Sequence, residues 1–165
     1  MKLVLLSSLI LSLSFSRFDA GVAAWVGLLP LFFSLEGKSP RQSFLLSYLC
    51  GFLFFLITLY WLIHVTPAGW IGLCLYLALY FGLFGLIFSI FKKAISLLIL
   101  FALPSVWVLL EYLRSHLLTG FGWALLGYSQ YKFLPVIQIA DIFGALGVSF
   151  LVAMGNAAIY LILKR

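Results

Sequence analysis

Acidic side chains are nearly missing from this sequence. Asp and Glu together number four in 165 residues, and charged residues of both signs make up only 8% of the chain. Soluble domains carry about 25% charged residues and roughly 45–50% apolar ones, whereas this chain is 65% hydrophobic, with a mean hydropathy of +1.25. One soluble core cannot hide that much apolar surface. The composition excludes a soluble globular domain and leaves an integral membrane protein. Cysteine is equally scarce: Cys50 and Cys74 both sit inside apolar runs. Their depths along those runs differ by roughly 15 Å at 1.5 Å per residue, beyond the ~7 Å Cα limit for a disulfide. They read as two small buried apolar residues. Several chemical signatures are absent as well. There is no GxSxG, no phosphate-binding loop and no HxxxH or HExxH spacing, so nothing local supports a metal at His64, His116, Glu111 and Asp141. No stretch outside the apolar runs is long enough to hold a domain, and no internal repeat is visible.

What is present is a series of apolar runs. Six candidate spans cover residues 3–16, 21–35, 43–64, 70–91, 94–116 and 139–163. The first two, at 14 and 15 residues, fall short of the ~20 a typical crossing needs and read as short, tilted or interfacial. Pro104 marks an expected kink in the fifth. Small residues at helical spacing, Ala78/Gly82/Gly85 and Ala140/Gly144/Gly147 among them, let backbones approach closely in lipid. The net charge of +6 calls for no nucleic acid, because Lys and Arg in a membrane protein set orientation. With a cytoplasmic N-terminus, Lys2, Lys38, Arg41, Lys92, Lys93, Lys164 and Arg165 fall inside, and Arg17, Arg114 and Lys132 fall outside. A rival reading takes Lys2 and the apolar run after it as a cleavable signal peptide. Against that, the hydrophobic pattern resumes directly after Arg17 and Asp19.

One stretch departs from the pattern: EYLRSHLLTGFGWALLGYSQY, residues 111–131. Glu111 and Arg114 share a helical face at the outer end of the fifth span. A charged pair at that depth faces protein or a polar cavity; an ion pair locking the helix end and a direct functional role both remain open. Residues 117–136 are too polar and Gly-rich for a seventh span and too apolar for a solvated loop. Trp123, Tyr128 and their neighbours place this segment in the interface as an interfacial or re-entrant loop. Asp141 is expected to cap the sixth span, where the helix dipole favours a carboxylate. Asn156, mid-span, is expected to hydrogen-bond a neighbouring helix.

These residues carry a resemblance. WVLLEYLRSHLLTGFGWALLGYSQ (107–130) is similar to the Trp, Glu, Arg, Gly-Phe-Pro-Trp, Gly-Tyr-Ser-Gln pattern of the apolipoprotein N-acyltransferase family, and IQIADIFGALGVSFLVAMGNAAI (137–159) is similar to its following helix. AAWVGLLPLFFSL (23–35) and GFLFFLITLYWL (51–62) resemble its second and third spans. Gly122 stands where the family usually has proline, which loosens that turn.

The resemblance implies an all-α membrane domain, residues 1–165, of an enzyme of the bacterial cytoplasmic membrane. That enzyme moves an acyl chain from a phospholipid donor to the N-terminal amine of a diacylglyceryl-cysteine on a lipoprotein. It implies no cofactor, and it implies a nitrilase-like domain with a Glu-Lys-Cys constellation that forms a thioester. No part of that constellation is in this sequence, so the chain is expected to be inactive alone: a fragment, a truncated frame, or one chain of a split enzyme with a separate nitrilase-like partner. Glu111, Arg114, Trp123, Tyr128 and Gln130 are the residues expected to face lipid or substrate or to seat that domain. The alternative is a small non-enzymatic membrane protein that binds lipid or a partner.

Overall fold

The computed structural model describes residues 1–15, 20–91, 96–118 and 120–164. Arg17, Asp19, Lys92, Lys93 and Arg165, which the charge count uses, lie outside the described residues. Among those described, the chain is helical with no strand. The helices are α1 (Lys2–Ser14), α2 (Ala24–Gly27), α3 (Leu29–Leu35), α4 (Pro40–Thr58), α5 (Pro67–Phe91), α6 (Ser96–His116), α7 (Leu134–Ile137) and α8 (Ala140–Leu163).

Four of these, α4, α5, α6 and α8, are long and apolar enough to cross a membrane. The structure is that of a multi-pass membrane protein. The two shorter apolar segments have distinct causes. At 13 residues, α1 is about 20 Å long against a ~30 Å hydrocarbon core. Residues 21–35 form a 3-10 turn (Gly21–Ala23), then α2, then α3 with Pro30 in its first turn. A proline there has no N–H to continue the preceding helix, and the segment breaks at Leu28.

The long helices begin and end for local reasons. Ser39 and Gln42 close a capping box at the start of α4, with Pro40 in the first turn. The helix therefore starts three residues before the apolar run at 43–64. It stops at Thr58, and Tyr60–His64 continues as a 3-10 turn. In α6, Pro104 is buried and lies inside an unbroken helical assignment. The real break is in α8, at Gly144, with φ 65° and ψ −175°. Only glycine adopts that backbone without strain, so the first turn of α8 sits at an angle to its long remainder.

Aromatic rings fill the space between the helices. Phe81 and Phe84 of α5 pack edge-on against Trp107 of α6, at 5.0 and 5.1 Å between centroids. Phe32 of α3 stacks on Phe88 at 5.4 Å. In lipid, where apolar burial alone gives helices no reason to associate, such close packing supplies the attraction. The outward faces carry Leu75, Leu79 and Leu83 on α5, and Phe101 and Leu109 on α6. At one end of the bundle Lys164 pairs with Glu36 at 2.8 Å, and the Tyr160 hydroxyl donates to the same carboxylate. The segment after α6 lies at the opposite end.

Candidate functional site

The stretch after α6 is fastened from below by buried polar groups. Glu111 and Arg114 are both almost fully buried, at 5% and 3% exposure. They share a helical face, yet no direct ion pair joins them among the described residues. Each is held by its own partners. Glu111 Oε1 accepts from the Leu126 amide at 2.7 Å and from Trp107 Nε1 at 3.0 Å. Arg114 Nη1 donates to the carbonyls of Trp123 at 2.6 Å and Phe121 at 3.2 Å, and Nη2 to that of Ala124 at 3.3 Å. The guanidinium lies over the Phe55 ring, 5.3 Å from its centroid, a further cation–π attraction.

Those carbonyls converge because the chain there takes conformations a helix or strand would not. Ala124 has φ 55°, a left-handed backbone that costs a non-glycine residue about 1–2 kcal/mol. The guanidinium fork, which presents five donors in a plane, offsets that cost by collecting three carbonyls that have left regular structure.

The turn Leu126–Gln130 rests on α8 and on the N-terminal segment. The Gly127 amide donates to Ser149 Oγ at 2.8 Å. Glu111 Oε2 has no hydrogen-bond partner of normal geometry. A Cβ at Gly127 would run into the backbone carbonyl of Ala145 and come within 3.0 Å of the Ser149 amide. Gly127→Ala should therefore lift the turn off α8 and cost about 1–3 kcal/mol, read as a lower unfolding temperature in detergent. Gln130 is buried: Nε2 donates to the Gly21 carbonyl at 2.7 Å and to Ser129 Oγ at 2.8 Å, and Oε1 accepts from Trp25 Nε1 at 3.0 Å. It has no lipid-facing surface, and its side chain ties the turn to residues 21–25.

Asn156 makes the matching tie in mid-bundle. Its Oδ1 accepts from the Leu28 amide at 2.9 Å, and Nδ2 donates to the Ala24 carbonyl at 2.8 Å and to Val152 at 2.9 Å. It spans the break between α2 and α3, where backbone groups have left the helical ladder. Asp141 differs from its expected role. It occupies the first turn of α8, but the N-cap is Ile139 and no side chain caps it. The chain enters from α7 already helical at Ile139 (φ −63°, ψ −25°), which leaves no extended residue from which a side chain could fold back.

Above this buried frame the aromatics face outward. Trp123 and Tyr128 are about half exposed, as are Tyr131 and Phe133. Trp123 packs against Phe121 at 5.5 Å and Trp61 at 5.2 Å, which joins the platform to the turn after α4. Below, a cavity of about 20 Å³ is lined by Phe55, Tyr80, Trp107, Glu111 and Arg114. That is room for one water, not for an acyl chain. His64 is exposed, and His116 Nδ1 lies 2.8 Å from the Tyr112 carbonyl. The cysteines are free and buried.

Residues 7–158 match the family model described as the apolipoprotein N-acyltransferase N-terminal domain. The chain belongs to the apolipoprotein N-acyltransferase family. It is 40% identical to an apolipoprotein N-acyltransferase of Geobacter metallireducens, over 98% of this chain and 33% of that protein. Relatives of the same name in Pasteurella multocida and Shewanella oneidensis are 31% and 33% identical. These matches cover 98% and 93% of this chain, and 32% of each relative. The chain thus spans about a third of the length of the curated relatives it matches.

The geometry accounts for residues within the resembling motif. In the Gly-Tyr-Ser-Gln run, Gly127 permits the close approach to α8 and Gln130 with Ser129 fastens the turn, while Tyr128 is left exposed. In the following helix, Gly144 makes the bend and Ser149 receives the Gly127 amide. Sequence reasoning missed Trp25 and the Glu36–Tyr160–Lys164 group. The indole of Trp25 meets a residue 105 positions away, and no local pattern signals that.

Proposed function

We propose that residues 1–165 form the N-terminal membrane domain of a lipoprotein N-acyltransferase, on which the catalytic remainder of the enzyme is seated. The enzyme would transfer an acyl group from a phospholipid to the free amine of the diacylglyceryl-cysteine that begins a bacterial lipoprotein. The phospholipid ester breaks, a lysophospholipid leaves, and an amide forms. The domain would sit in the bacterial cytoplasmic membrane with its N-terminus inside. It would cross six times, α1 and the 21–35 segment serving as thin or tilted crossings beside the four long helices.

One observation carries this reading: half-exposed aromatics, Trp123, Tyr128, Tyr131 and Phe133, stand on a buried, hydrogen-bonded polar frame. Rings of this kind suit acyl chains, headgroups and a protein surface alike. Among the described residues no buried group beneath them is placed as a nucleophile, and this reading assigns bond-making to the part of the relatives' length that the chain does not span.

A chimera tests it. These 165 residues replace the matching third of the Geobacter metallireducens relative in a strain depleted of its own enzyme. Mass spectrometry of a lipoprotein N-terminus should then show the third acyl chain. The 165 residues alone should add none. Acylation by the 165 residues alone, or a well-expressed and folded chimera that never acylates, would overturn the assignment.

A further inference from the structure

One polar atom of the buried frame is left over. Glu111 Oε1 takes both hydrogen bonds, from the Leu126 amide and the Trp107 indole. The second oxygen, Oε2, is buried with no hydrogen-bond partner. A buried polar atom normally has one, from protein or from ordered water. Arg114 has donors to spare: a guanidinium carries five N–H groups, and three hydrogen bonds to loop carbonyls use only part of them. The Tyr80 hydroxyl of α5 lies 2.7 Å from that of Tyr76. Whichever of the two donates, Tyr80 keeps either its hydrogen or a lone pair for a further partner.

These three side chains line one cavity. Glu111, Arg114 and Tyr80 meet at the space of about 20 Å³ below the platform, and the rings of Phe55, Phe81 and Trp107 wall the rest. A single water needs roughly 10–15 Å³ and roughly two to four polar partners. The cavity offers the room, and the three side chains offer an acceptor, a donor and a group that can serve as either. An ion fits less well. The carboxylate and the guanidinium bring one charge of each sign, so their balance calls for neither a cation nor an anion.

We propose that one ordered water occupies this cavity and bridges Glu111 Oε2, the Arg114 guanidinium and the Tyr80 hydroxyl. Glu111 and Arg114, which make no direct ion pair among the described residues, are then joined through that water. The same water ties α5 to the frame on α6. It is a structural ligand of the frame, so the inference stands or falls apart from the acyl-transfer reading.

Hydroxyl-radical footprinting with pulsed X-rays tests this on the purified full chain in detergent, with modified residues read by mass spectrometry. Radicals made from a bound water attack the side chains around it, whereas radicals from bulk solvent do not reach buried ones. Phe55, at the cavity, and Phe32 and Phe88, away from it, are all buried. Phe55 should be modified several-fold more than either. Tyr80→Phe deletes one partner of the water and should lower that modification about tenfold. Tyr76→Phe leaves the Tyr80 hydroxyl in place and should not change it. Unfolding temperatures in the same detergent confirm that both variants are folded. Phe55 modified no more than Phe32 and Phe88 would mean a dry cavity and overturn the proposal. Modification that survives Tyr80→Phe unchanged would trace it to bulk solvent and overturn it too, as would an equal loss in Tyr76→Phe.

Discussion

Arg114→Ala should lower the stability of the chain by about 3–5 kcal/mol, the cost of removing one partner from a buried charged network. Three carbonyl oxygens, those of Phe121, Trp123 and Ala124, lose their donor at once. The Glu111 carboxylate keeps its two hydrogen bonds but loses the nearby positive charge. Ala124, held with φ 55°, then has little reason to stay there. The damage should be local first. Hydrogen exchange at the amides of residues 121–127 should accelerate well before the long helices open, and the unfolding temperature in detergent should fall. Arg114→Lys should recover only part of the loss, because a single ammonium cannot span three carbonyls set in a planar fork. Unchanged exchange across 121–127 in Arg114→Ala would mean that the loop is held by its apolar contacts alone.

Asn156→Leu should cost about 2–3 kcal/mol, although a leucine fills a similar volume and suits a membrane span. A typical interhelical hydrogen bond in lipid contributes only ~0.6 kcal/mol, which alone predicts a mild effect. The larger figure follows from what Asn156 serves. Its side chain makes three bonds, two of them to Leu28 and Ala24, which flank the break between α2 and α3. A buried backbone group left unpaired costs about 1–3 kcal/mol, and Asn156 is fully buried, out of reach of bulk solvent. Thermal unfolding with Asn156→Leu beside Asn156→Ala checks this. The alanine variant, which adds a cavity to the same loss, should be the less stable of the two. A leucine variant as stable as the parent would show that the irregular segment satisfies itself.

Much of this architecture was legible in the sequence, and the parts that were not share a cause. The runs at 43–64, 70–91, 94–116 and 139–163 correspond to α4, α5, α6 and α8 because long apolar composition is a local property. The helical spacing of Glu111 and Arg114 placed both side chains on one face of α6. It did not reveal that they would bond the loop and not each other, since that depends on where residues 121–126 return. Helix ends were read less well. The capping box at Ser39 starts α4 before its apolar run, and the bend at Gly144 lies inside an uninterrupted one. The helical entry at Ile139 left Asp141 no capping role. Gln130 was expected to face lipid or substrate or to seat a further domain, and it is buried. Its partners Gly21 and Trp25 lie more than a hundred positions away, and only the folded bundle brings them together.

The buried polar residues of the 111–131 stretch hydrogen-bond the loop as a frame, and we assign them no bond-making step. Glu111 is the residue on which that claim is most exposed, since its Oε2 has no hydrogen-bond partner and the residue lines a cavity. The decisive measurement is the acyl-transfer turnover of the chimera carrying Glu111→Gln, normalised to the folded fraction. Glutamine retains the Oε1 acceptor used by Trp107 and Leu126, so the frame should survive. Turnover per folded molecule should stay within a few-fold of the parent chimera. A loss of about 100-fold or more, the scale of a missing general acid or base, with an unchanged unfolding temperature, would contradict it.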